Sequence, residues 1–246
     1  EHPGEMDYYL KIAKPKIALI TKIAPTHTRY FKNTQGVLAE KTKIIKSLLS
    51  SDYAVLNADD PHLEKLNYLT KANVIWFGEK APKGVKISHF KENIHGSSFR
   101  IHYSGQQASV SWKIIGKHQL LSAYAAATVG ILTGMTLKQI AKGMSQVKSP
   151  LHRLNPITAK TLSIIDDTYN SSPLALQESI KTLIEIGKGK QKIAVLGVMK
   201  DLGQMSKEYH KSIGRIIAKT NVKLLTTVGE EAKIIATEAK KHGFKG

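Results

Sequence analysis

The chain has 246 residues, 41% of them hydrophobic and 23% charged, with no cysteine and a formal net charge of +18. It is long enough to bury a core as one large or two smaller domains, and the lack of cysteine excludes disulfides, thiolate metal sites and a cysteine nucleophile. No apolar run approaches the roughly 20 residues of a membrane span and no secretory segment follows Glu1, so a cytoplasmic enzyme is the expectation.

In chain order, apolar runs rich in β-branched residues alternate with segments of helical period, which predicts βαβ units and a largely parallel sheet. Residues 17–23 read as a strand, 36–49 as a helix, 54–57 and 74–77 as strands. From about 85 to 115 the pattern changes to alternation with turn signals such as Ser104-Gly105, which predicts antiparallel hairpins. Helices are expected over 118–133 and 136–147. Lys148-Ser149-Pro150 then marks a boundary, because proline blocks helix continuation. Beyond it the rhythm restarts: strand 162–165, helix 173–186, strand 192–197, helix 206–220, strand 223–228 and helix 230–241. The expected fold class is α/β, with domains at 1–149 and 150–246. The second holds about three parallel strands, fewer than the 5–6 usual for a sheet.

The 37 Lys and Arg against 19 Asp and Glu invite a nucleic-acid reading. The lysines are spread along the chain, form no arm and are not interleaved with aromatics that would stack on bases. Solvated helix faces explain them, and an anionic substrate would suit the same field.

The most informative run is Ile165-Asp166-Asp167-Thr168-Tyr169-Asn170-Ser171-Ser172-Pro173. It places two carboxylates and an amide at the exit of an apolar strand, just before a helix that Pro173 can open. Ligands of an open α/β sheet bind at that end of a strand. An Asx turn that caps the next helix is the plainer alternative.

Taken with four further stations, this run resembles the Mur ligase family, in the branch that adds D-alanyl-D-alanine to UDP-N-acetylmuramoyl-tripeptide. Asp166 to Pro173 is similar to D-D-[ST]-Y-N-A-N-P. Val195 to Gly203, followed by Ser206 and His210, is similar to V-L-G-D-M-x-E-L-G-x-x-S-x-x-x-H. Thr21 to His27 resembles T-N-I-G-x-x-H, Leu56 to Asp60 resembles L-N-x-D-D, and Gly116 to Ala126 resembles G-x-H-N-x-x-N-x-x-A-A. The five stations stand in the family's order over nearly the whole chain. Lys22, Gln119, Ser122 and Val198 depart from the pattern. No G-x-x-G-K-T-[ST] phosphate loop is present, so the chain is expected to be a piece of a longer ligase, silent by itself: the later part of the ATPase domain and the opening of the C-terminal domain.

The resemblance implies ATP and Mg²⁺ as cofactors and UDP-MurNAc-peptide and D-Ala-D-Ala as substrates, on a monomer with no nucleic-acid or membrane partner. It implies Mg²⁺ binding by His27 and by Lys41 as a carbamate, and catalytic roles for Lys41 and Arg153. Nucleotide contacts are implied for Asn57, His118, Gln119, Ser122, Arg153, Asp167 and Asn170, and an acceptor-side role for Ser206 and His210. Plainer roles stand beside these. His27 can be a hydrogen-bonding loop residue, Lys41 part of a solvated helix face, Asn57 with Asp59 and Asp60 a turn brace, and His118 with Gln119 and Ser122 a helix cap. Ser206 and His210 can cap and pack, and Tyr169 can pack. His62, His89, His95 and His102 match no motif. Another ligase of the superfamily, of folylpolyglutamate or cyanophycin type, is the nearest alternative. A non-catalytic basic nucleotide- or nucleic-acid-binding module is the alternative of a different class.

Overall fold

In a computed structural model that describes residues 2–24, 28–31 and 33–246, the chain forms two compact units. One comprises Glu1–Lys91, Ser98–Trp112 and Gln119–Val147, and the other Glu92–Ser97, Lys113–His118 and Lys148–Gly246.

In the first unit the β-branched runs become three parallel strands, β1 (Ile17–Ile20), β2 (Tyr53–Asn57) and β3 (Asn73–Phe77), in the order β1-β2-β3. Ile17 lies opposite Tyr53, and Tyr53 opposite Asn73. The central strand reads as a nearly continuous apolar run because both of its faces are covered. Ala18, Ile20, Ala54 and Leu56 pack with Ile45, Leu48, Leu63 and Leu66, and full burial of each large side chain contributes about 1.5–3 kcal/mol.

Counting all helices along the chain, α1 (Glu5–Ile12) and the short α2 (Thr28–Phe31) come first, and sequence periodicity did not reveal them. The third, α3 (Thr34–Lys46), starts where Asn33 accepts the Gly36 N–H at 3.1 Å, an N-cap that supplies an acceptor for one of the orphan donors of a helix start. Its Glu40 reaches back to the start of α1, accepting from Gly4 N at 3.0 Å and Met6 N at 2.9 Å.

The alternating segment forms a second sheet of β4 (Lys86–Asn93), β5 (Gly96–Tyr103) and β6 (Gln106–Trp112). Ser104 and Gly105, with φ of 48° and 76°, make the two-residue turn whose twist suits a hairpin. Helix α4 (Leu120–Leu132) packs on β2 and β3, and α5 (Leu137–Gln146) on β6. The start of α5 is a reciprocal capping box between Thr136 and Gln139.

In the second unit, α6 (Pro173–Ile186) has Pro173 in its first turn as the sequence predicts. Two parallel strands, β9 (Ile193–Leu196) and β10 (Leu224–Thr227), pack with α6, α7 (Ser206–Ala218) and α8 (Lys233–Lys241) around Ile180, Leu196, Met199, Ile213, Ile217 and Ile235.

One expectation fails here. The 162–165 run does not join a parallel set of three. It forms β8 (Leu162–Asp166), antiparallel to β7 (Asn155–Ala159), with Asn155 opposite Asp166 and Ala159 opposite Leu162. Lys160, at φ 46°, turns the chain between them. Leu162 and Ile164 are exposed, so the apolar run is not the buried strand its composition suggested. A short apolar run carries no information about the direction of its partner.

Candidate active site

The first-unit candidates gather at the carboxyl ends of β1 to β3. Asn57, buried at the end of β2, donates to the Thr21 carbonyl at 2.8 Å and accepts the Asp59 N–H at 2.9 Å. Asp60 accepts the Ile23 N–H at 2.6 Å on one oxygen and the His62 N–H at 2.9 Å on the other. Asp59 accepts from Glu79 N at 2.8 Å and Lys80 N at 2.9 Å. The three side chains thus brace the ends of all three strands. For Asn57 this is the turn-bracing alternative, and it commits both ends of the amide to the protein. Gly78, at φ 111°, admits the brace because a Cβ there would overlap Asp59 Oδ2 and stand 2.9 Å from Asn57 Oδ1.

Lys41, half-buried on α3, donates from Nζ to the Lys22 carbonyl at 3.2 Å. Burial holds its ammonium below the usual lysine value, partly offset by attraction to Asp60. A lysine on a solvated face would feel no such burial. An ammonium that releases its proton more readily is more often the neutral amine, the form that adds CO₂. His27 lies outside the described residues. Among the described residues no group of three or more His, Asp or Glu side chains could hold a metal. Mg²⁺ takes oxygen ligands, so Lys41 fits it only as a carbamate, beside the backbone oxygen of Lys22 and the carboxylate of Asp60.

Gly116 to Ser122 lead into α4. Gln119 stands at its N-cap without a side-chain capping bond, and Ser122 is exposed, so the capping alternative is not what Gln119 provides. Glu92 accepts the Gly116 N–H at 2.8 Å, and burial pushes its carboxyl above the usual range. His118 Nδ1 lies 3.9 Å from Glu178 Oε2.

In the second unit, Asp166 anchors its own loop. Its oxygens accept from Thr168 Oγ1 and from Thr168 N, and pair with His152 Nδ1 at 2.7 Å. The Thr168 hydroxyl first, and the His152 ring second, hold the Asp166 carboxyl below its usual value. The Asx-turn alternative therefore describes Asp166. Asp167 accepts the Leu154 N–H at 3.1 Å and the Ser179 hydroxyl, which leaves each oxygen one further lone pair. The Tyr169 N–H donates to the His152 carbonyl at 2.9 Å. These bonds tie 152–154 to 166–169, so Arg153, Asp167 and Asn170 lie in one short stretch of surface. Arg153 and Asn170 are exposed.

Ser206 and His210, one turn apart on α7, are drawn inward. His210 has 0% exposure; its Nε2 accepts the Met199 N–H at 3.1 Å and its Nδ1 donates to the Ser206 carbonyl at 2.8 Å. Such a ring cannot itself touch a substrate; both of its nitrogens are bonded within the unit. Ser206 Oγ donates to Glu231 at 2.5 Å. The sequence reading also passed over Glu92, Glu178 and Ser179, which lie outside the motif stations, and gave no role to His152 beside Arg153; each meets its partner only through the fold.

Residues 1–130 match the Mur ligase middle domain and residues 152–245 the Mur ligase, glutamate ligase domain. The chain is 33% identical, over 99% of its length and 53% of the other's, to the UDP-N-acetylmuramoyl-tripeptide--D-alanyl-D-alanine ligase of Buchnera aphidicola subsp. Baizongia pistaciae. It is similar to the crystal structure of MurF from Acinetobacter baumannii, with a TM-score of 0.89 and 27% identity over 98% of this chain and 52% of that one. The MurF ligase of Thermotoga maritima in complex with ADP gives a TM-score of 0.84 at 27% identity, over 95% and 54%. The chain spans about half the length of the curated relatives it matches. With a middle domain and a glutamate ligase domain in succession, and the five motif stations in order along them, the chain belongs to the Mur ligase family.

Proposed function

We propose that this chain is part of an ATP-dependent ligase that adds D-Ala-D-Ala to UDP-MurNAc-tripeptide in peptidoglycan precursor synthesis. The observation that carries this is the end-to-end match to relatives named for that reaction, the first of them at 33% identity over 99% of the chain. In this reading ATP phosphorylates the tripeptide carboxylate, and the dipeptide amine then displaces phosphate from the acyl phosphate to form the amide. Such chemistry relies on positioning and on cations placed where charge builds.

Arg153 supplies a fixed guanidinium for the transferring phosphoryl group, and Asp167 and Asn170 contact the nucleotide from the same short loop. His118, Gln119 and Ser122 are assigned to the adenine, and Asn57 to bracing the strand end. Lys41, as a carbamate, and His27 would hold Mg²⁺, which would supply neutralisation of phosphate charge. Residues 1–149 form the ATP-binding domain and 150–246 the C-terminal domain, on a cytoplasmic monomer without nucleic-acid or membrane partner.

The test is ATP-dependent phosphate release, with the product identified by mass, in a ligase-competent polypeptide carrying this chain. Turnover is expected only with UDP-MurNAc-tripeptide and D-Ala-D-Ala together. Turnover instead with glutamate and a folate would assign the folylpolyglutamate type. DNA binding with a steep salt dependence, and no ATP turnover, would favour the nucleic-acid module.

A further inference from the structure

We propose that His210 is a positioning residue for the acceptor half of the reaction, splinting the loop at 197–202 so that Lys200 and Asp201 are presented to a peptide carrying a free amine and a terminal carboxylate. The proposal rests on the ligase reading above.

Strands β9 and β10 are parallel, so their carboxyl ends share one edge of the sheet, the edge at which ligands of open α/β sheets bind. The two loops leaving that edge are tied to each other. A Cβ on Gly229 would stand 2.7 Å from Val198 Cγ2, the Val228 N–H donates to the Leu196 carbonyl at 2.9 Å, and Ser206 Oγ donates to Glu231 at 2.5 Å. Within the first loop the side chains of Met199 and Leu202 are buried, at 1% and 3% exposure, while Lys200 and Asp201 between them are exposed. Asp201 is held in the left-handed region at φ 59°, a conformation that a non-glycine residue keeps only where its surroundings impose it.

What fixes the backbone beneath those two residues is an imidazole. The Met199 N–H must have an acceptor, and it finds one in His210 Nε2 at 3.1 Å. Because a backbone N–H can only donate, the ring proton sits on Nδ1, where it is spent on the Ser206 carbonyl at 2.8 Å. The fully buried ring thereby bolts the loop after β9 to the first turn of α7. An acceptor with two opposite charges at fixed separation needs a cation and an anion at fixed separation. Adjacent Lys200 and Asp201 on a splinted loop meet that need, and the same residues on a loose loop do not.

Two variants separate the splint from simple packing. His210→Leu fills the space but offers no acceptor, whereas His210→Gln restores one. In this chain, hydrogen exchange at the Met199 amide is expected to quicken at least about tenfold in His210→Leu and to stay near the unaltered rate in His210→Gln, about one hydrogen bond's worth of protection. In the ligase-competent polypeptide, His210→Leu should raise the KM for the dipeptide about tenfold, with the KM for ATP unmoved, and His210→Gln should recover most of the loss. Lys200→Ala, on the surface, should reproduce the rise in acceptor KM and carries the test if His210→Leu does not fold. An equally protected Met199 amide in His210→Leu overturns the proposal. So does an unchanged dipeptide KM in Lys200→Ala or His210→Leu. Absence of any turnover by the unaltered protein sinks the ligase reading instead, and the exchange measurement still reports on the splint.

Discussion

The Arg153 guanidinium lies 4.1 Å from the centre of the Tyr169 ring, stacked on its face. Both residues are exposed, and the ring face orders a long side chain. Tyr169 packs against Arg153, and in the proposed phosphoryl transfer that contact would preorganise the cation.

Arg153→Ala in a ligase-competent polypeptide should lower kcat by about 10²–10³, the usual loss for one contact to developing charge. Tyr169→Leu keeps the cation but loosens it and should cost only about 2–5-fold, in line with about 0.5–1 kcal/mol for an exposed stack. Lys142→Ala should leave the rate unchanged. Equal, small effects from Arg153→Ala and Lys142→Ala in steady-state assays would remove Arg153 from the site.

Gly78→Ala tests the brace at the strand ends. The added methyl must adopt φ 111° and displace Asp59 from its two backbone donors. Left-handed backbone costs about 1–2 kcal/mol and each of the two exposed hydrogen bonds about 0.5–1.5 kcal/mol, so a loss of about 2–5 kcal/mol is expected in urea unfolding. A variant within about 0.5 kcal/mol of the parent would show that the brace contributes little.

Acid should loosen the tie between 152–154 and 166–169. The Asp166 carboxyl is held below its ordinary value of 3.8 by Thr168 and His152. Over that window the unfolded chain binds more protons than the folded one, so stability rises with pH. Its contribution is complete above the unfolded value and is lost as pH falls through the folded one. Asp166→Asn should flatten the acid limb of stability below about pH 4, measured by urea midpoints along a pH series. An acid limb of unchanged steepness would mean that Asp166 is not linked to folding.

For Lys41, the burial that lowers its proton affinity makes carbamate formation easier, since the neutral amine attacks CO₂ and releases a proton. Lys41→Ala should be severely impaired in ligase assays, and added acetate or formate should recover part of the activity by supplying oxygens. Mass spectrometry under bicarbonate should show the carbamate on the parent chain. An active variant indifferent to bicarbonate and to added acid would leave Lys41 a structural lysine.

Much of this was legible before any coordinates. Periodicity marked the strands of the first sheet and the helices α3 to α8, because a repeat of two or of 3.6 residues is a local property of the chain. Pro173 set a helix start for the same reason, and the order of the polar stations announced the family. Partnership was not legible, because it joins residues far apart in sequence. Nothing in the run 162–165 reveals that it pairs antiparallel with Asn155–Ala159, and nothing around Asn57 reveals that Thr21 will take its amide. Sequence placed Ser206 and His210 on one helix face, but only the fold could decide that this face turns inward and that the Met199 N–H waits there for an acceptor. Local order comes from the backbone's own geometry, whereas burial and hydrogen-bond partners are settled when distant segments compete for the same space.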